Sequence, residues 1–126
     1  MKFGRRIAIV GSRTYTSYEH ISHKLADILM PADSLVSGGA IGVDSMAQRY
    51  AKESGLEITI CYPDYGRYGK GATFVRNRRI VELSDLVLAF YAKGRFQQGG
   101  TANTIHWAQE LSVPYHEYEE SVINEG

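Results

Sequence analysis

The chain has one cysteine, three prolines and no excess of either charge, and each scarcity removes a class of protein. A lone Cys61 in an apolar run cannot build a disulfide framework. Without a CxxC pair or a second thiol at metal spacing it makes no zinc site either, so it reads as a small buried residue. Lys plus Arg and Asp plus Glu stand at 14 each. The broad positive field of a dedicated nucleic-acid binder is therefore missing, and any affinity for anions has to be local. No apolar stretch approaches a membrane span, and Ile7 to Val10 is too short for a signal-peptide core behind the basic start. A cytoplasmic protein with no membrane partner is expected. No metal or other cofactor is indicated: His20, His23 and His116 are scattered, His106 has no second ligand at metal spacing, and Gly38 to Asp44 lacks the lysine of a P-loop. The 126 residues, 44% of them apolar, can bury about two-thirds of their unfolded surface, enough for one core and one domain over 1–126.

What the chain has is glycine, 13 residues of it, placed after apolar runs. Ile7 to Val10 is a β-branched run of the kind buried on both faces of a parallel sheet, and Gly11-Ser12-Arg13 follows it. Thr16 and Glu19 form a capping box for a helix carrying Ile21, Leu25, Ile28 and Leu29 up to Pro31. Leu35 to Ser37 is a second strand. Gly38-Gly39-Ala40-Ile41-Gly42 comes next, and Val43, Met46, Ala47, Tyr50 and Ala51 then repeat at helical spacing up to Gly55. Ile58 to Tyr62 is a third strand ending at Pro63, after which a Gly/Tyr-rich segment to about Ala72 reads as the one extended loop. A helix over Thr73 to Ser84, the strand Leu86 to Tyr91, a helix from near Thr101 and a short strand Val113 to Tyr118 complete the alternation. The acidic tail from Glu117 to Gly126 is expected to fray.

That alternation predicts an α/β fold: a Rossmann-like three-layer αβα sandwich on a mainly parallel sheet of about five strands, with ligands outside the carboxyl ends of the strands. The glycine loops, with Gly99-Gly100-Thr101 as the third, fall on that edge. Only glycine lets backbone amides crowd an anion without a Cβ in the way, so they read as a phosphate cradle. Ser12 and Arg13 either bind phosphate or close a turn, and Thr101 either caps its helix or holds phosphate. Arg67, Lys70, Arg76, Arg78 and Arg79 gather positive charge, interleaved with tyrosines, in either a ligand-contacting or a solvated face. Arg76 and Asn77 are the sharper pair, a planar cation beside a neutral donor and acceptor. Asp44 is the first candidate for a catalytic carboxylate, with an N-cap for the helix from Ser45 to Ser54 as the alternative; Asp64 is the second.

The strings Gly11-Ser12-Arg13, Ser37 to Asp44, Tyr68-Gly69-Lys70, Arg76-Asn77-Arg78-Arg79-Ile80 to Ser84-Asp85 and Gly99-Gly100-Thr101, in that order, resemble the SLOG superfamily. It joins DprA-type DNA-processing proteins and the Lonely Guy phosphoribohydrolases, and the chain is similar to its small stand-alone members related to YspA and YpsA. The resemblance implies a nucleotide-derived small molecule as partner and a homo-oligomer. Ligand contacts would come from Gly11, Ser12, Arg13, Gly38, Gly39, Gly42, Lys70, Arg76, Asn77, Gly99, Gly100 and Thr101. Lonely Guy enzymes carry a glutamate three residues after the threonine of GGxGT, where this chain has Thr104, while Arg76 matches their arginine. Three activities follow: binding of an ADP-ribose-like or mononucleotide ligand, N-glycosidic cleavage of a nucleoside monophosphate through Asp44 and Arg76, and binding of single-stranded DNA in the DprA manner, which the neutral charge opposes.

Overall fold

The structure, a computed structural model, describes residues 4–121. Five strands, β1 (Arg6–Gly11), β2 (Ser34–Ser37), β3 (Ile58–Ile60), β4 (Leu86–Tyr91) and β5 (Tyr115–Glu119), alternate with five helices: α1 (Tyr18–Ile28), α2 (Val43–Ser54), α3 (Tyr65–Tyr68), α4 (Ala72–Glu82) and α5 (Gly99–Glu110). The sheet order is β3-β2-β1-β4-β5 and every pairing is parallel. Ile7 of β1 lies between Leu35 and Leu86, so the most apolar strands occupy the centre.

The two-residue period of the strands sorts their side chains into two cores. Ile7, Ile9, Leu35 and Leu88 meet Ile21 and Leu25 of α1 and Val43, Ala47 and Ala51 of α2. Ala8, Val10, Val36, Val87 and Ala89 meet Ile80 and Val81 of α4 and Ile105 and Ala108 of α5. Helices on both faces of a parallel sheet give the expected αβα layering. The chain runs outward from β1 in one direction to β2 and β3, and in the other to β4 and β5. The carboxyl ends of β1 and β4 thereby flank the point where strand order reverses, the crevice that open α/β sheets offer to ligands.

Several local expectations are corrected. Ser17, not Thr16, caps α1, accepting a hydrogen bond from the His20 amide at 3.1 Å. Thr16 is occupied elsewhere: its amide and hydroxyl both donate to Glu120, at 3.1 and 2.7 Å. The helix stops at Ile28, before Pro31. The segment expected as an extended loop coils into α3 and a 3-10 turn, Gly69–Gly71, because the Asp64 carboxylate caps α3 through the Arg67 amide at 3.0 Å. The acidic tail does not begin at Glu117. Glu117 accepts from the Tyr91 hydroxyl at 2.7 Å and Glu119 from the Gly94 amide at 2.9 Å, so β5 is held by its carboxylates. The rest of that expectation, residues 122–126, lies outside the described residues.

Far from the carboxyl edge, Asp33 binds the Arg5 guanidinium at 2.7 Å and the Arg5 and Met30 amides at 3.1 and 2.9 Å. Burial disfavours its charge, but these hydrogen bonds outweigh that and hold its pKa below the ordinary carboxylate value. Its support for the fold is therefore present above that range and lost as pH falls.

Candidate functional site

A cavity of about 720 Å³ opens between the carboxyl end of β1, the loop that follows β4, and the helices α4 and α5, within the size range of small-molecule sites. Its wall on α4 is a single helical face, with Thr73, Arg76, Asn77 and Ile80 spaced three and four residues apart. Its far wall is the first turn of α5. No side chain caps that helix, and first-turn amides have no partner within their own helix.

The three glycine loops prove to differ. At Gly11 a Cβ would stand 2.2 Å from the Phe90 carbonyl oxygen and 2.5 Å from Val43 Cγ2, so glycine is required by the close approach of β4 and α2. At Gly42, where φ is +78°, a Cβ would fall 2.5 Å from the carbonyl oxygens of both Ser12 and Arg13. This residue begins α2 and lets the first two loops touch. Gly38 and Gly39 are hemmed by Arg76 and by Tyr62 respectively. Only the third loop is open, for Gly99 and Gly100 have nothing within 4 Å of an added Cβ. The glycines of the first two loops are required where chain elements meet, although both loops also reach the cavity; at the third loop nothing crowds an added Cβ.

Among the expected site residues, Gly11, Ser12, Arg13, Asp44, Arg76, Asn77, Gly99, Gly100 and Thr101 line the cavity. Gly38, Gly39, Gly42 and Lys70 do not, although Gly38 holds Arg76 from behind: its carbonyl oxygen accepts from Arg76 Nη1 at 2.7 Å. Lys70 is exposed in the 3-10 turn, and Tyr65, Arg67 and Tyr68 are likewise exposed and outside the cavity. Ser12 is committed to the fold, its hydroxyl accepting from the Ala92 amide at 2.9 Å. Both side-chain amide donors of Asn77, and one acceptor site, are spent on protein. Oδ1 accepts from Arg76 Nε at 2.9 Å, while Nδ2 donates to the Gly100 carbonyl at 3.3 Å and to Asn103 Oδ1 at 3.1 Å. It fixes both the guanidinium and the first turn of α5. Thr104, buried, donates back to the Gly100 carbonyl at 3.2 Å, so its position offers a hydroxyl and no carboxylate. Trp107 packs with the second core under the Arg78 guanidinium, 5.0 Å away.

Asp44 does not take the alternative role of N-cap, which falls to Gly42. It lies inside the first turn of α2, only 7% exposed, and its carboxylate reaches back to the Ala40 amide at 3.0 Å. Burial pushes its pKa up to about 6, against the Ala40 hydrogen bond and the charges of Arg76 and Arg13. A carboxyl group poised near neutrality in a cavity is a mark of functional sites. The sign of its effect on stability is opposite to that of Asp33. Its contribution is full below the ordinary carboxylate range and is lost as pH rises through about 6. Asp44→Asn keeps an acceptor for Ala40 and removes the buried charge. In urea melts between pH 4 and pH 7 it should match the parent at the acid end and exceed it by about 3 kcal/mol at the neutral end. A difference independent of pH would mean that Asp44 ionises normally.

Sequence reasoning passed over Arg95, Gln98, Thr73 and Phe74, all at the cavity. Thr73 could have been found from the i, i+3, i+4 spacing with Arg76 and Asn77. Arg95 left a fainter signal: one of two cations, with Lys93, in the loop between β4 and the third glycine pair. With Arg13 and Arg76 it brings three arginines to the cavity that the first turn of α5 also lines.

Comparison with known proteins identifies relatives of the chain. Residues 5–68 match the model of the YspA, cpYpsA-related SLOG family. The chain belongs to that family. This SLOG chain is 33% identical to the gene 61 protein of Mycobacterium phage D29 over 119 residues, covering 87% of its own length and 93% of the phage protein. It is 29% identical to a protein of Mycobacterium tuberculosis named for DNA processing, DprA, but spans 35% of that protein. The solved DNA processing protein A of Streptococcus pneumoniae superposes with a TM-score of 0.69 at 20% identity, over 98% of this SLOG chain and 53% of the other; that likeness is one of fold. Among the described residues no helix is long and apolar enough to cross a membrane.

Proposed function

We propose that this SLOG chain binds a nucleotide or nucleotide-derived ligand, a mononucleotide or an ADP-ribose-like molecule, at the carboxyl edge of its sheet. The observation that carries this reading is the uncapped first turn of α5, open at Gly99 and Gly100, in a cavity that Arg13, Arg76 and Arg95 also line. Free helix amides and guanidinium groups together suit a phosphate, which takes hydrogen bonds and charge from both. Phe74, 53% exposed at the cavity wall, offers a base an aromatic surface.

Asp44 favours a second reading, N-glycosidic cleavage. With the phosphate on α5, a carboxylate at the other side of the same cavity can stabilise the cationic character that develops at the sugar C1′ as its bond to the base breaks. Water then supplies hydroxide to C1′ and a proton to the departing base. Thr104 removes the glutamate that Lonely Guy enzymes would use, so this chemistry rests on Asp44.

A thermal-unfolding panel tests the binding reading. A cognate nucleotide at a hundred times its dissociation constant stabilises by about 2.7 kcal/mol. A response to oligonucleotides alone would replace this reading with single-stranded DNA binding. Release of free base from nucleoside monophosphates, lost in Asp44→Asn, would establish the second reading; base release that survives the substitution would exclude Asp44 from it.

A further inference from the structure

A second cleft, of about 540 Å³, lies beside the first and shares Thr14 with it. The ridge between the two is the hydrogen bond from the Ala92 amide to Ser12 Oγ, with Ser12 facing the main cavity and Ala92 the second. Lys93 and Glu120 put opposite charges on its walls.

The state of Glu120 is informative. It is brought to α1 from β5, and one oxygen, Oε2, takes nearly all the donors there: the Thr16 amide and hydroxyl and the Ser17 amide at 2.9 Å. The other oxygen, Oε1, has a single long contact of 3.4 Å, from the Thr16 amide. A carboxylate anchored through one oxygen and open at the other is a rigid acceptor, able to take the hydroxyls of a ribose. Lys93 makes no side-chain hydrogen bond or ion pair among the described residues and stands beside the ridge as a free cation. A phosphate passing over the ridge would meet it.

We propose that the two clefts hold one ligand of two sugar-bearing halves joined through phosphates, with the distal ribose on Glu120 and the linking phosphate between α5 and Lys93. The inference rests on the nucleotide-binding reading and narrows it: a mononucleotide fills only the main cavity. Glu120 and Lys93 are then specificity residues.

Calorimetric titration of the full chain with AMP and with ADP-ribose tests it, using Lys93→Ala and Glu120→Gln. Glutamine keeps an acceptor for Thr16 and Ser17, and unfolding curves of each variant check that α1 stays capped. ADP-ribose is expected to bind at least tenfold more tightly than AMP. Glu120→Gln should remove most of that advantage while leaving AMP affinity unchanged, and Lys93→Ala, beside the linking phosphate, should weaken ADP-ribose several-fold more than AMP. Equal affinities for the two ligands, or variants that weaken AMP as much as ADP-ribose, would overturn the two-cleft site while leaving nucleotide binding intact. Failure of both ligands to bind would sink the nucleotide reading and this one with it. Tighter binding of the deoxy dinucleotide pTpT than of ADP-ribose would also overturn it, since pTpT offers Glu120 no vicinal hydroxyls.

Discussion

Arg76→Ala should lower the affinity for a phosphate-bearing nucleotide by about thirtyfold or more, the equivalent of about 2 kcal/mol for a lost charge-assisted hydrogen bond. The size of the effect follows from how the side chain is held. Nε is fixed by Asn77 and Nη1 by the Gly38 carbonyl, so the remaining N–H groups reach the cavity without the entropy loss of ordering a mobile arginine. Lysine keeps the charge but cannot serve two acceptors in the fork geometry, so Arg76→Lys should recover only part of the affinity. A proton effect accompanies it. Arg76 is one of the charges that oppose the burial of Asp44, and without it Asp44 protonates at still higher pH. Titration calorimetry at two pH values reads both consequences; unaltered affinity in Arg76→Ala would remove Arg76 from the site.

The second large effect separates a glycine required by packing from one at the proposed ligand site. Gly11→Ala should cost about 3 kcal/mol or more and lower the melting temperature by about 10 °C or more. Its Cβ would stand 2.2 Å from the Phe90 carbonyl oxygen, in the strand that pairs with β1, and neither backbone can yield without parting the sheet. Gly100→Ala should do the reverse. With open space at the Cβ and a helical position to occupy, alanine leaves the melting temperature within about 2 °C, since it is the better helix former. Yet it puts a methyl group where a phosphate would approach the α5 amides, and nucleotide affinity should fall about tenfold. A destabilised Gly100→Ala, or a stable Gly11→Ala, would reverse the assignment of the two loops.

The expectation that all three glycine loops form a phosphate cradle shows where sequence reading loses resolution. A glycine required by a neighbouring strand and a glycine that clears space for an anion look alike in sequence, because both need the missing Cβ. What differs is the neighbour, and Phe90 lies 79 positions from Gly11 in the chain. The same limit explains Asp44, whose place after a glycine loop suggested a cap, and Thr16, whose capping role is displaced by Glu120 from the opposite end of the fold. The 63–72 segment was misjudged for a local reason: glycine and tyrosine suggested irregular chain, and the capping power of Asp64 was not weighed.

Alone, the sequence determined the alternation of strands and helices, the parallel character of the sheet and the edge on which a site would lie. These follow from periodicity and from apolar runs with both faces buried, which are properties of neighbouring residues. It also singled out Arg76, Asn77 and Asp44 as chemically unusual. The tertiary structure decided their roles. It gave Arg76 to the cavity and Asn77 to holding it. It buried Asp44 until its carboxyl titrates near neutrality, and it left Gly99 and Gly100 open while closing the other loops. Roles of this kind depend on desolvation and on contacts between elements remote in sequence, and those exist only once the sheet has assembled.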